Sequence, residues 1–187
     1  MNYVNNYIEQ VKSGIDSVDP KKIETLIEWL GEARASKSTI FTMGNGGSSS
    51  TASHWVNDLV KGASFGKTER FKVICLNDSV STLTAYSNDV SYEEALVEPL
   101  KNFLTAGDLV IAISGSGNSA NVINAIKYAK KNGARTIGLT GRDGGELGAL
   151  VDLEVRVPIQ HMGQIEDVHM MITHAASWSF IENEAGI

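Results

Sequence analysis

The sequence predicts an α/β domain in which a parallel sheet carries helices on both faces. Three observations lead there. Five short apolar runs, at 39–43, 72–76, 108–113, 135–140 and 153–157, have the length of buried strands. Stretches of helical periodicity separate them, the order expected of βαβ units. The first and third runs close on glycine- and serine-rich turns, the punctuation of a strand passing into a helix. At 187 residues the chain is long enough for one domain with a full core. It reads as a single unit over 1–187, with helices in 1–36 preceding an α/β core in 37–187.

The first element is a helix over 2–15, with Tyr3, Val4, Tyr7, Ile8 and Val11 on one stripe. So short a helix is marginal alone, and its apolar stripe requires a partner. The second spans 20–36. Asp19-Pro20 is its start signal, with proline at the first helical position, and Ile23, Leu26, Ile27 and Leu30 recur at helical spacing. After the first strand run comes Gly44-Asn45-Gly46-Gly47-Ser48, then a helix carrying His54 and Asp58. A helical stretch over 79–87 leads to Asn88-Asp89, and Tyr92-Glu93-Glu94 reads as a solvated helix face. The strongest helix, 121–132, follows Ser114-Gly115-Ser116-Gly117-Asn118-Ser119 and places Val122, Ile123, Ala125, Ile126 and Ala129 inward. A turn is expected at Asp143-Gly144-Gly145. The last helix covers about 165–182, with Val168, Ile172, Ala175, Ala176 and Phe180 as its apolar set.

Composition narrows the function. The formal net charge is −6, and no basic run is present, which argues against nucleic acid and membrane surfaces as partners. No stretch reaches transmembrane length, and the polar, mildly amphipathic start does not read as a signal peptide. One cysteine, Cys75, rules out an internal disulfide framework and a cysteine-rich zinc site, and the default address is cytoplasmic.

Ligands of open α/β sheets sit at the carboxyl ends of the strands, where helix N-termini offer free amides and the positive end of a dipole. Both glycine-serine turns fall at such ends. Neither has the GK[ST] of a Walker A loop nor the glycine spacing of a dinucleotide fingerprint, so no nucleotide cofactor is expected. As plain tight turns, their serines would serve as N-caps. As a pair, they read as a phosphate cradle of hydroxyls and amides.

The pairing of GNGGS (44–48) with SGSGNSANV (114–122) resembles the sugar isomerase (SIS) domain family, and within it the phosphoheptose isomerases. The likeness runs through the N-terminal helices, both loops, the turn Leu139–Gly145, and a last helix bearing Glu166-Asp167-Val168-His169 and His174. It implies a flavodoxin-like three-layer sandwich with five parallel strands. It also implies a homotetramer with active sites shared between subunits, which would partner the first helix. The implied substrate is a sugar phosphate, most closely sedoheptulose 7-phosphate, converted to D-glycero-D-manno-heptose 7-phosphate. The family's phosphate-binding hydroxyls fall on Ser114, Ser116 and Ser119. Asn45, Gly46, Gly47 and Ser48 take ligand-contacting positions in the first loop, and Asn88 and Asp89 stand where the isomerases have an Asn-Asp pair.

Aldose–ketose isomerisation needs a base to move a proton between neighbouring carbons and acids to shuttle protons on the oxygens. His54 and Asp58, at i and i+4, share one helix face, and Glu166 and His174 lie eight apart on the last helix. The resemblance gathers all four in the active site and implies zinc on these positions in some members. Two histidines and two carboxylates are a donor set suited to a divalent ion. The family has glutamate at 58, glutamine at 166 and often aspartate at 163, where this chain has Asp58, Glu166 and Gly163. Asp58 is one methylene shorter, about 1.5 Å of chain, and a misplacement on the order of 1 Å can cost ~100-fold in rate. Two assignments of the base therefore stay open: Asp58, or Glu166 with Asp58 as ligand. The partner of either is His174. His169, about 140° round the helix from His174, reads as structural, and His161 as a loop residue that nothing requires. Trp29, Trp55 and Trp178 read as packing. The other functional class compatible with the motifs is a phosphosugar- or partner-binding module, of the replication-initiator-binding kind, that has lost the chemistry.

Overall fold

The computed structural model describes residues 2–185, and side chains as far as Glu182. Five strands form one parallel sheet: β1 (Thr39–Gly44), β2 (Lys72–Cys75), β3 (Leu109–Ser114), β4 (Arg135–Gly141) and β5 (Leu153–Val157). Their order is β2-β1-β3-β4-β5. All four pairings are parallel, with Ile40 opposite Leu109 and Leu109 opposite Arg135 in the central registers. This is the flavodoxin-like order, and its reversal point lies between β1 and β3.

The central strands are buried on both faces, as parallel strands must be. Every residue of β3 is buried, while the short edge strand β2 is largely exposed. Alternation along each strand feeds two cores. Ile40, Leu109, Ile111, Ile113 and Leu139 face a layer made by α2 (Pro20–Ser36), α3 (Gly47–Asn57) and α8 (Met162–Ala185). Phe41, Met43, Val110 and Ala112 face α5 (Val97–Phe103), α6 (Ala120–Lys131) and α7 (Gly145–Leu150). No helix among the described residues is long and apolar enough to cross a membrane.

Helix starts follow local chemistry. Asp19 caps α2 by accepting the Lys21 N–H at 3.0 Å, with Pro20 at the first position. Asn2 caps α1 (Tyr3–Asp16) by accepting the Val4 N–H at 2.8 Å. The stripe of α1 finds little cover within the chain: Tyr3, Val4 and Ile8 are exposed, and Val11 alone of the five packs against the core. Helix α4 (Val80–Asp89) buries no residue fully. The segment Tyr92-Glu93-Glu94 is a turn leading to α5, not a helix face. The last helix begins at Met162, three residues before the periodic apolar set, because its first turn is partly polar. Trp55 is wholly buried and Trp29 packs at the core edge, whereas Trp178 is half exposed.

His169 is a core residue. It is 0% exposed, and its Nε2–H donates to the Thr140 carbonyl at 2.9 Å, tying α8 to β4. Its Nδ1 has no partner, so a second proton there would be buried without an acceptor. Burial accordingly lowers its pKa to about 4. The unfolded chain takes up that proton near pH 6.5, so stability is lost as pH falls from about 6.5 toward 4, by at most about 3 kcal/mol. Urea denaturation across this window should show the loss, and His169→Gln should flatten the slope.

Candidate functional site

The strand reversal creates the site. Chain leaving β1 turns to α3 on one face of the sheet, and chain leaving β3 turns to α6 on the other. The two loops diverge around a hollow of about 270 Å³. Asn45, Gly46, Gly47 and Ser48 line it from the first loop; Ser114, Ser116 and Ser119 line it from the second. Glu166 and Met162, in the first turns of α8, close it. Among the described residues that line it there is no lysine or arginine.

The serine hydroxyls cluster tightly. Ser114 Oγ lies 3.3 Å from Ser119 Oγ and 3.5 Å from Ser116 Oγ. The Gly117 N–H donates to Ser114 Oγ and the Asn118 N–H to Ser116 Oγ, both at 3.2 Å. Neither Gly46 before α3 nor Ser119 before α6 caps its helix through a side chain. Ser119 holds the N-cap position of α6 without using its hydroxyl as a cap, and two helix N-termini border the hollow, a combination suited to an anion. Gly117 sits at φ +66°, and a Cβ there would come within 2.0 Å of the Gly144 carbonyl oxygen. The second loop thus rests on the turn between β4 and α7, with the Leu147 N–H donating to the Gly117 carbonyl at 2.9 Å. At Gly47 a Cβ would fall 2.5 Å from Glu166 Oε1, so glycine is what admits that carboxylate.

Two turns further along α3 and α8 a second group assembles. His54 Nε2 and His174 Nε2 are 3.0 Å apart. Asp58 Oδ2 lies 3.4 Å from the first and 3.8 Å from the second. That oxygen is buried and accepts no hydrogen bond. A triangle with these sides has its equidistant point about 2.0 Å from each corner, at the low end of ordinary zinc–nitrogen and zinc–oxygen lengths. The donor set and the unpartnered oxygen both fit a divalent cation, and three donors leave coordination positions for a ligand. Asp58 reaches the group despite its short side chain. The helix opens there into a π turn, Asp58–Gly62, closed by the Ala63 N–H donating to the Asp58 carbonyl at 2.8 Å. Glu166 stands outside this group of ligand atoms within 4.8 Å of one another, and its carboxylate packs instead against Gly47 at the hollow.

Asn88 and Asp89 do not meet the hollow within this chain. They are exposed at the end of α4, and Asn88 Nδ2 donates to Asp89 Oδ1 at 2.8 Å. His161 packs its ring edge against Tyr7 at 5.6 Å, away from His54 and His174. Residues not singled out in the sequence also shape the site. The Asn77 side chain accepts the Gly44 N–H at 3.1 Å and donates to the Gly44 carbonyl at 2.9 Å, fixing the end of β1. Asn121 exchanges two hydrogen bonds with Asn45, each of 2.9 Å. An asparagine two residues past a serine turn was the visible signal for Asn121.

A sequence profile of the SIS domain matches residues 2–141, about three quarters of the chain. The chain belongs to the SIS-domain family. The match ends before α8, but whole-length relatives extend beyond it. The chain is 39% identical over 175 residues to a phosphoheptose isomerase of Aliarcobacter butzleri, covering 88% of this chain and 89% of the relative. It is 35% identical to a phosphoheptose isomerase of Coxiella burnetii, covering 90% and 87%. Its structure is similar to that of a phosphoheptose isomerase from Francisella tularensis, with TM-score 0.89, 25% identity and 96% of each chain covered. The enzyme of that name from Neisseria gonorrhoeae gives TM-score 0.86 at 28% identity, covering 95% and 94%.

The positive φ and the close approach at Gly117 make this glycine of the SIS domain intolerant of a side chain. Gly117→Ala should lower stability by about 2–4 kcal/mol in urea denaturation, with the second loop displaced. A fully stable Gly117→Ala protein would contradict the packing described.

Proposed function

We propose that this chain is an aldose–ketose isomerase that interconverts sedoheptulose 7-phosphate and D-glycero-D-manno-heptose 7-phosphate. The observation that carries the reading is the pairing of two sites on α3 and α8. Gly47 meets Glu166 at the anion hollow, and His54 meets His174 seven and eight residues later. At 1.5 Å per residue the two contacts are roughly 10–12 Å apart along the helices. An extended chain advances roughly 1.2 Å per bond, so the seven or eight bonds from phosphorus to C2 or C1 of a heptose 7-phosphate span roughly 8–10 Å. A phosphate held by the serines would then reach with its sugar toward Asp58 and His174. A pentose phosphate would stop two carbons short.

The ketose carries its carbonyl at C2. Asp58 takes a proton from C1 while His174 delivers one to O2, which gives the enediol. His174 then receives the O1 proton and Asp58 returns its proton to C2, leaving the aldehyde at C1. His54 Nε2, Asp58 Oδ2 and His174 Nε2 would hold a divalent cation, with zinc the first candidate, so the protons above move through the remaining atoms, Asp58 Oδ1 and the His174 Nδ1–H; a bound ion would supply Lewis-acid polarisation of the carbonyl oxygen. Asp58 is favoured as base over Glu166 because its carboxylate stands among the histidines, whereas Glu166 stands at the phosphate end. A binding module without chemistry has no use for two histidines converging on a buried carboxylate.

The working molecule is proposed to be a homotetramer with shared sites. The uncovered stripe of α1 and the exposed α4, with Asn88 and Asp89 at its end, support this: a neighbouring copy would cover the former and could receive the latter.

Sedoheptulose 7-phosphate incubated with the dialysed, zinc-reloaded protein should yield the aldose, followed by NMR, and a strong chelator should abolish the conversion. Asp58→Asn and His174→Ala should each lower kcat by about 10²–10⁴-fold; unchanged turnover in both would refute the reading. Glu166→Gln tests the base assignment separately. It should keep turnover and bind inorganic phosphate more tightly, because a negative charge leaves the hollow. Loss of turnover in Glu166→Gln with retention in Asp58→Asn would move the base to Glu166.

A further inference from the structure

Asn45 lines the anion hollow, yet its side chain is engaged elsewhere. Its Oδ1 accepts from Asn121 Nδ2 at 2.9 Å and from the Tyr92 hydroxyl at 2.7 Å, which fills both lone pairs. Its Nδ2 donates to Asn121 Oδ1 at 2.9 Å. Asn121 Oδ1 also accepts the Val122 N–H at 3.0 Å, and Asn121 is 2% exposed. The amide carbonyl of Asn45 therefore has no acceptor capacity left for a sugar.

These three residues come from three separate places. Asn45 lies in the loop after β1, Asn121 in the first turn of α6 just past the serine loop, and Tyr92 in the turn that follows α4. The two loops leave neighbouring strands for opposite faces of the sheet, so backbone pairing does not fix the gap between them. The reciprocal amide pair spans that gap. Tyr92 in turn ties the segment bearing Asn88 and Asp89 to the same carbonyl.

We propose that Asn45, Asn121 and Tyr92 form a strut that sets the spacing of the two anion-binding loops, with Asn45 a positioning residue whose side chain braces the grip. The inference rests on the reading of the hollow as the phosphate end of a sugar phosphate site. Each arm of the strut acts through the Asn45 carbonyl, so the effects of losing them are coupled, not independent.

The test uses inorganic phosphate as probe, measured by calorimetric titration on folded full-length protein, with sedoheptulose 7-phosphate turnover alongside. Tyr92→Phe removes one hydroxyl from a half-exposed ring and leaves the core untouched. It should weaken phosphate about fivefold, the scale of one lost hydrogen bond, and raise KM in proportion with kcat within about twofold. Asn121→Ala should weaken phosphate by about tenfold or more. In an Asn45→Ala background, Tyr92→Phe should have no further effect. Unchanged phosphate affinity in Tyr92→Phe, or full additivity of Tyr92→Phe with Asn45→Ala, would overturn the strut. If Asn121→Ala does not fold, Tyr92→Phe and its cycle with Asn45→Ala decide. A wild type that binds phosphate but does not turn over the heptose phosphate would defeat the functional reading while leaving the strut to stand or fall on the phosphate data.

Discussion

Everything at this site follows from one topological constraint. Strands β1 and β3 are parallel neighbours, yet the chain leaves them for opposite faces of the sheet. Two parallel strands whose crossovers diverge leave a gap at their carboxyl ends that no side chain from the core can fill. The loops bordering it lead into helices whose N-cap residues, Gly46 and Ser119, make no side-chain cap. An anion is the natural occupant. The protein as a whole carries net charge −6, so the hollow attracts through local dipoles and hydroxyls, not through the long-range field.

The layer built by α3 and α8 then converts an anion hollow into a candidate active site. Both helices start at the hollow and run the same way along one face, with α8 longer at its start by four to five residues, so pairs at similar spacing along them meet. Gly47 meets Glu166, and His54 meets His174. A glycine at 47 lets α8 carry a carboxylate up to the α3 terminus, and two turns on the paired imidazoles converge on Asp58. The buried His169 fixes α8 against β4, about 140° round the helix from His174. Its lack of a second partner makes it an anchor that requires the neutral ring.

Much of this was legible in the sequence, for a physical reason. The central buried strand is a continuous apolar run at 109–113, and the edge strand at 153–157 alternates apolar with charged residues, so both stand out without tertiary information. The second loop announces itself because only glycine tolerates the conformation and close backbone approach at Gly117, and a glycine at 47 leaves room for the Glu166 carboxylate. What the sequence could not show was pairing in space. Glu166 and His174 share a helix, but whether Glu166 joins the histidines or the serines depends on where α3 lies against α8. Asn45 looked like a ligand contact because its position in the loop is right, while its side-chain partners, Asn121 and Tyr92, are 76 and 47 residues away. The turn at Tyr92-Glu93-Glu94 was misread as a helix face because charged residues in a turn and on an exposed helix leave the same local pattern.

The chain has aspartate at 58 where the resemblance implies glutamate, which on side-chain length alone retracts the carboxylate. The geometry reverses that expectation. Oδ2 already lies 3.4 Å and 3.8 Å from the two imidazole nitrogens, which are themselves 3.0 Å apart. One more methylene would carry the oxygen about 1.5 Å further, into the space between the nitrogens where a cation would sit. The π turn that opens at Asp58 alters the helix path at the very residue whose reach is reduced. Side-chain length and backbone path therefore have to be judged together: in this backbone the shorter acid already reaches both imidazoles.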